Sequence, residues 1–118
     1  MLSVKERIAY IRRCIDVYDN VTVEAFDGLL VDFVKRKNAQ YIVRGLRAVS
    51  DFEYEFQMAS MNKKLHPGAE TVFLMTNTRY SYLSSSMVRE VGRWDGCLEG
   101  LVPNEILSDL AIRLKSPD

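Results

Sequence analysis

Histidine is almost missing from this chain: there is one, His66, alongside two cysteines, Cys14 and Cys97. A zinc centre of several histidines is therefore excluded. A Ser-His-Asp mechanism would have to run through His66, which stands in Leu65-His66-Pro67-Gly68. A histidine ahead of Pro-Gly reads as a surface residue at a helix exit. The cysteines have neither metal-ligand spacing nor a pairing framework, and read as reduced, buried thiols of a cytoplasmic protein. Excess charge of either sign is also missing: 16 basic residues balance 16 acidic ones. No long-range field then directs the chain to nucleic acid or to an anionic membrane, although a small anionic ligand needs only a few well-placed cations. No apolar run approaches the roughly 20 residues of a membrane-spanning helix, and Lys5, Glu6 and Arg7 interrupt any apolar core of a signal peptide. What is present, 47% hydrophobic and 27% charged residues in 118, suits one soluble globular domain over residues 1–118.

The periodicities alternate. Ser3 and Glu6 have the spacing of a capping box, and Val4, Ile8, Ile11 and Ile15 make a helical stripe. Val21 to Phe26 alternates as a strand does. After Gly28, Leu29, Leu30, Phe33 and Val34 lie on one side of a short helix that ends in Lys35-Arg36-Lys37, cations suited to a helix C-terminus. Tyr41-Ile42-Val43 is a second strand. Ser50 and Glu53 form a second capping-box pattern, opening a helix from about Asp51 to Leu65. Thr71 to Met75 is a third strand, apolar enough to be buried on both faces. A polar loop from Tyr80 to Ser86 leads into a helix toward Trp94 that stops near Gly96, and Pro103 starts a last helix with Ile106, Leu107, Leu110, Ala111 and Leu114 inward. Strands alternating with helices predict an α/β protein with a parallel sheet, here of three strands and about five helices.

Ligands of open parallel sheets bind beyond the carboxyl ends of the strands. Two segments fall there. In Arg44-Gly45-Leu46-Arg47 two arginines flank a glycine directly after a strand; each guanidinium can fork onto a phosphate, while the bland alternative is solvated surface. In Tyr80-Ser81-Tyr82-Leu83-Ser84-Ser85-Ser86 three serines open a helix, with Arg89 one turn in. Unpaired amides at a helix start attract anions, although an ordinary N-cap needs one serine only. Because neighbouring strand ends face one crevice, Arg47 and Ser85 are expected to share a phosphate site.

These residues carry a resemblance. Arg44-Gly45-Leu46-Arg47 running into Asp51-Phe52-Glu53-Tyr54-Glu55, with Met61-Asn62 beyond, is similar to the central signature of phosphopantetheine adenylyltransferases, and Leu83-Ser84-Ser85-Ser86-Met87-Val88-Arg89 resembles the Ile-Ser-Ser-Thr-x-x-Arg motif of the wider nucleotidyltransferase superfamily. The resemblance implies a Rossmann-like nucleotidyltransferase fold with sheet order 3-2-1-4-5. It implies adenylyl transfer from ATP to 4′-phosphopantetheine, yielding dephospho-coenzyme A and pyrophosphate on the route to coenzyme A. It further implies that Leu30 and Arg44 contact phosphopantetheine, that Gly45, Leu46, Arg47 and Glu55 contact ATP, and that Tyr80, Ser81, Tyr82, Leu83, Ser84, Ser85 and Ser86 hold the nucleotide. Mg2+ comes with the ATP phosphates, no protein metal ligand is expected, and the family's usual state is a homo-hexamer.

The family's opening strand-helix-strand, with its Thr/His-x-Gly-His turn, does not occur in this sequence. The residues present thus supply strands 3, 4 and 5 of the implied sheet and no catalytic histidine, and little turnover is expected of them alone. A non-catalytic module binding nucleotide or coenzyme A is the alternative. A related transferase acting on nicotinate mononucleotide or glycerol phosphate fits the Arg44 to Glu55 run less well.

Overall fold

The computed structural model describes residues 1–115. In chain order its elements are α1 (Val4–Ile15), α2 (Leu30–Arg36), β1 (Tyr41–Leu46), α3 (Val49–Leu65), β2 (Glu70–Met75), α4 (Ser85–Arg93) and α5 (Leu107–Lys115), with 3-10 turns at Thr78–Tyr80 and Asn104–Ile106. They form two compact units, Phe26–Tyr82 on the one hand and Met1–Ala25 with Leu83–Asp118 on the other. Among the described residues no helix is long and apolar enough to cross a membrane.

In the unit Phe26–Tyr82, β1 and β2 pair in parallel, with Tyr41 opposite Glu70 and Leu46 opposite Met75. Parallel neighbours need a crossover, and α3 supplies it. Phe52 of α3 meets Phe73 of β2 edge-on at 6.4 Å. The core of the unit is small: Val34 of α2, Ile42 of β1 and Ala69 are buried together, with Leu30 and Ala39 packed against them. Burying a Val or Ile side chain is worth about 1.5–3 kcal/mol. The exit of α2 is a Schellman motif. Asn38 is left-handed at φ 52°, its N–H reaches the Lys35 carbonyl, and the Ala39 N–H reaches the Val34 carbonyl, both at 3.0 Å. At the exit of α3 the His66 N–H bonds the Asn62 carbonyl at 2.8 Å, and the Ala69 N–H closes a turn over Pro67-Gly68 on the His66 carbonyl. His66 thus sits in a helix-exit turn.

Four expectations change. Val21 to Phe26 makes no strand: a strand exists through a hydrogen-bonded neighbour, and the described sheet contains only β1 and β2. Phe26 instead stacks on Phe33 of α2, ring centroids 4.6 Å apart. β2 is not buried on both faces; Val72 and Leu74, like Val43 beside them on β1, are exposed, because one helix layer covers one face of a sheet. The Ser50–Glu53 capping box does not form. The helix starts earlier, at Val49 with Ala48 as N-cap, and Asp51 accepts the back-bond from the Arg47 N–H at 3.2 Å. Nor are the thiols buried: Cys97 is exposed and Cys14 half-buried, both free.

In the other unit the Ser3–Glu6 capping box is complete: Ser3 Oγ accepts from the Glu6 N–H at 3.1 Å, and Glu6 Oε2 accepts from the Ser3 N–H at 2.7 Å. Glu6 Oε1 also accepts from Arg113 Nε of α5 at 2.7 Å, so one carboxylate both caps α1 and ties it to the last helix. Among the described residues, Leu98, Ile106 and Leu110 are the buried apolar side chains here. α4 ends in a second Schellman motif, with Asp95, not Gly96, in the left-handed position at φ 61°. The Gly96 N–H reaches the Val91 carbonyl at 2.8 Å and the Asp95 N–H the Gly92 carbonyl at 3.2 Å. Gly96 is required one place later, where a Cβ would stand 2.6 Å from Val91 Cγ1.

Gly92 lies where α4 meets α5, and a Cβ there would stand 2.6 Å from Leu114 Cδ1 and 2.9 Å from its Cβ. Leu114 Cβ cannot swing away without moving the backbone. Gly92→Ala is therefore expected to destabilise: overpacking of about 1–3 kcal/mol outweighs the roughly 1 kcal/mol gain in helix propensity. Chemical denaturation of the two proteins measures the difference. A second test uses Glu6. Arg113, and then the Ser3 N–H, hold its carboxyl at about 2, below its ordinary 4.5. A depressed carboxyl stabilises the fold above its unfolded value, and that contribution is lost as pH falls through its folded one. Glu6→Gln should lower the melting temperature at pH 6, and the gap should close between pH 4.5 and 2.

Candidate functional site

Arg44 points from β1 toward α3 and meets Glu55 in a two-pronged pair: Nε donates to Oε2 at 2.7 Å and Nη2 to Oε1 at 2.6 Å. The ends of the pair differ in surroundings. The Glu55 side chain is 11% exposed and that of Arg44 50%. Hydrogen bonding to Glu55 holds the guanidinium pKa above its ordinary value. The bonds from Arg44 draw the Glu55 carboxyl below its own, against burial and the nearby charge of Asp51.

The pair forms one wall of a cleft of about 90 Å3. Leu30 from α2, Ile42 from β1 and Thr71 from β2 contribute to it, and α3 supplies Tyr54, Glu55, Met58, Ala59 and Asn62. Glu55, Met58, Ala59 and Asn62 are spaced i, i+3, i+4 and i+7, which puts them on one helix face. Two of the four are buried polar residues, Glu55 and Asn62. The result is a small cleft of mixed polar and apolar lining with a cation at its rim, where an anionic group can be met.

Beyond Arg44 the strand continues through Gly45 to Leu46, whose side chain is buried and whose carbonyl accepts from the Thr76 N–H at 2.8 Å. A Cβ on Gly45 would meet nothing within 4 Å, so this backbone is open to approach. Arg47 is held in turn by Asp51, Nε to Oδ2 at 2.9 Å; this pair is more exposed at its acidic end than the first, 27% for Asp51. Its hydrogen bond to Arg47 lowers the Asp51 carboxyl pKa and raises that of Arg47.

The serine segment divides between the units. Tyr80, Ser81 and Tyr82 belong to Phe26–Tyr82, and Leu83 to Ser86 to the other. Asn77 Oδ1 accepts from the Arg79 N–H at 3.1 Å, Ser81 Oγ donates to the Thr78 carbonyl at 2.8 Å, and the Arg79 guanidinium lies 4.6 Å over the Tyr80 ring. In α4 only Ser84 is the cap, accepting from the Met87 N–H at 3.2 Å. Ser85 and Ser86 occupy the first two helical positions, and Ser86 Oγ accepts from Arg89 Nη2 at 3.4 Å. Among the described residues no group of three His, Cys, Asp or Glu is assembled to hold a metal.

Of the residues singled out from the sequence, Leu30, Arg44 and Glu55 line one cleft, and Gly45, Leu46 and Arg47 continue directly from it along the chain. Ile42, Tyr54, Met58, Ala59, Asn62 and Thr71 were not foreseen there. The signal for Asn62 was readable: it stands seven residues from Glu55, on the helix face that also carries Met58 and Ala59.

Residues 1–91 match the family model Cytidylyltransferase-like, which sets the class. The chain is 56% identical over 110 residues to the phosphopantetheine adenylyltransferase of Clostridium novyi (strain NT), covering 93% of this chain and 68% of that one. It is 55% identical over 115 residues to that of Clostridium botulinum (strain Eklund 17B / Type B), covering 98% and 72%, and 54% identical over 110 residues to that of Clostridium tetani (strain Massachusetts / E88), covering 93% and 69%. The chain belongs to the phosphopantetheine adenylyltransferase family, within the cytidylyltransferase-like proteins.

The serines can be separated by stability. Ser84→Ala removes the α4 cap and should cost about 1 kcal/mol in denaturant unfolding. Ser85→Ala, inside the helix where alanine is favoured, should cost nothing. Equal losses would contradict the capping geometry.

Proposed function

We propose that the chain transfers the adenylyl group of ATP to 4′-phosphopantetheine, giving dephospho-coenzyme A and pyrophosphate. The observation that carries this reading is the cleft with Leu30 in its wall and Arg44 at its rim, in a chain about 55% identical to phosphopantetheine adenylyltransferases. The phosphate of phosphopantetheine is the nucleophile. One of its oxygens bonds to the α-phosphorus of ATP, the bond from that phosphorus to the β-phosphate bridge breaks, and pyrophosphate leaves. No protein nucleophile is needed, so the protein acts by positioning and by placing donors against developing charge.

In this reading Arg44 takes the phosphate of phosphopantetheine, and Leu30 meets the pantetheine chain. The backbone of Gly45 and Leu46 and the guanidinium of Arg47 serve ATP, and the loop and helix start from Tyr80 to Ser86 hold the nucleotide. Mg2+ is held through the ATP phosphates, which suits a cation that keeps most of its water and takes few protein ligands. A cytoplasmic setting and a homo-oligomeric state belong to the same proposal; the exposed Phe56, Met61 and Leu65 of α3 give a second copy apolar surface to cover.

The direct test is pyrophosphate-dependent formation of ATP from dephospho-coenzyme A. With the family's opening strand-helix-strand supplied, turnover supports the transferase, whereas ligand binding without turnover supports a non-catalytic module that binds nucleotide or coenzyme A. Calorimetry divides the roles. Arg47→Ala should weaken ATP binding by roughly 1.5–3 kcal/mol, the scale of a hydrogen bond to a charged group, with a smaller effect on phosphopantetheine. Arg44→Ala should reverse that order.

A further inference from the structure

All five methionines of the chain reach solvent, and one of them, Met58, lines the cleft beside Arg44. It stands on α3 three residues after Glu55 and four before Asn62, so the three share one helix face. Met58 is 40% exposed, and the cleft holds about 90 Å3. A solute as small as hydrogen peroxide therefore reaches the thioether, and whatever enters so small a cleft lies against it. A thioether is apolar, flexible and polarizable, which suits it to the less polar stem of a ligand whose anionic end is met by Arg44. A methionine sulfoxide is polar and chiral. At this place it adds an oxygen to a cleft with little room. It also sets a new hydrogen-bond acceptor one helical turn from the Glu55 carboxylate, itself an acceptor only.

We propose that Met58 makes the cleft responsive to peroxide: as the thioether it admits the chain of 4′-phosphopantetheine, and as the sulfoxide it turns that chain away. The sulfur lone pair attacks one oxygen of hydrogen peroxide. The S–O bond forms as the O–O bond breaks, and the other oxygen leaves as hydroxide, which takes the proton from the new S–OH and becomes water. Sulfur loses two electrons and the peroxide gains them. Methionine sulfoxide reductases reverse the change, so the device is a switch. It rests on the reading that this cleft takes 4′-phosphopantetheine, and it adds to that reading a condition under which binding is lost.

The test is calorimetric titration of 4′-phosphopantetheine before and after treatment with hydrogen peroxide, with mass spectrometry reporting oxidation at each methionine. Three proteins are compared, each against its own untreated affinity: the wild-type chain, Met58→Leu, and Met75→Leu, which removes an 80% exposed methionine at the end of β2. A thiol reductant added after the peroxide returns disulfides and sulfenic acids of Cys14 and Cys97 to thiols and leaves the sulfoxides in place. Oxidation should weaken binding about tenfold in the wild type and in Met75→Leu, the scale of a polar group set where it finds no partner. Met58→Leu should keep its starting affinity through the treatment, and methionine sulfoxide reductase should restore the wild type. Met58→Gln, polar and not oxidisable, should bind weakly without any peroxide, and serves if the leucine variant does not fold. Equal losses in the wild type and Met58→Leu would assign the effect to another residue and overturn the proposal. Full affinity in wild type with Met58 oxidised, or a Met58 still reduced when Met75 has been converted, would overturn it too. Absence of phosphopantetheine binding before any peroxide is added would instead remove the reading of the cleft, a failure visible without oxidation.

Discussion

Two strands that run the same way cannot be joined by a turn, and the arrangement around the cleft follows from that constraint. β1 and β2 are parallel, so the chain between them must return over the sheet, and the 17 residues of α3 make that return. The helix begins three residues after β1 ends. Its first two turns therefore lie close to the strand exit they have just left. That places Asp51 and Glu55, one turn apart, beside Arg47 and Arg44, which stand three apart on the outgoing chain. Carboxylates and guanidiniums meet in order because a helix and a strand exit are joined by a very short connection.

The two pairs so formed are not equivalent. Glu55 is sealed beneath α3 and holds Arg44 by two bonds of normal length on one edge of the guanidinium. Asp51 is closer to solvent and bonds both the backbone N–H and the side chain of Arg47. A pair screened by water contributes little to stability, while a carboxylate out of water depends on its partner. Arg44 is thus held by a carboxylate mostly out of water, and Arg47 by one that solvent reaches. The same logic separates the serines at α4: one hydroxyl is committed to capping, and its two neighbours are not needed for it.

Much of the secondary structure was legible because it rests on local chemistry. The capping box of α1, the cationic end of α2, the turn at His66-Pro67-Gly68 and the inward Ile106 and Leu110 depend on residues close together in the chain. Where the reading erred, the missing information was non-local. Val21 to Phe26 has the alternation of a strand, but alternation supplies no neighbour to bond to. The apolar run in β2 suggests two covered faces, but covering a face is the act of another layer. Ser50 and Glu53 have the right spacing for a cap, yet Asp51 one place on could reach the Arg47 amide, and the helix start moved with it.

The sequence by itself determined the order of the helices and of β1 and β2, the family, and Arg44 as a residue of the cleft, because the Arg44-Gly45-Leu46-Arg47 run is contiguous and short-range. Tertiary structure alone decided what those residues do to one another. That Glu55 spends both oxygens on Arg44, that Leu30 shares a cleft with it across three elements, and that Met58 and Asn62 complete the wall depend on where α3 lands on the sheet. Contacts between residues far apart in the chain are set by packing, which no local pattern encodes.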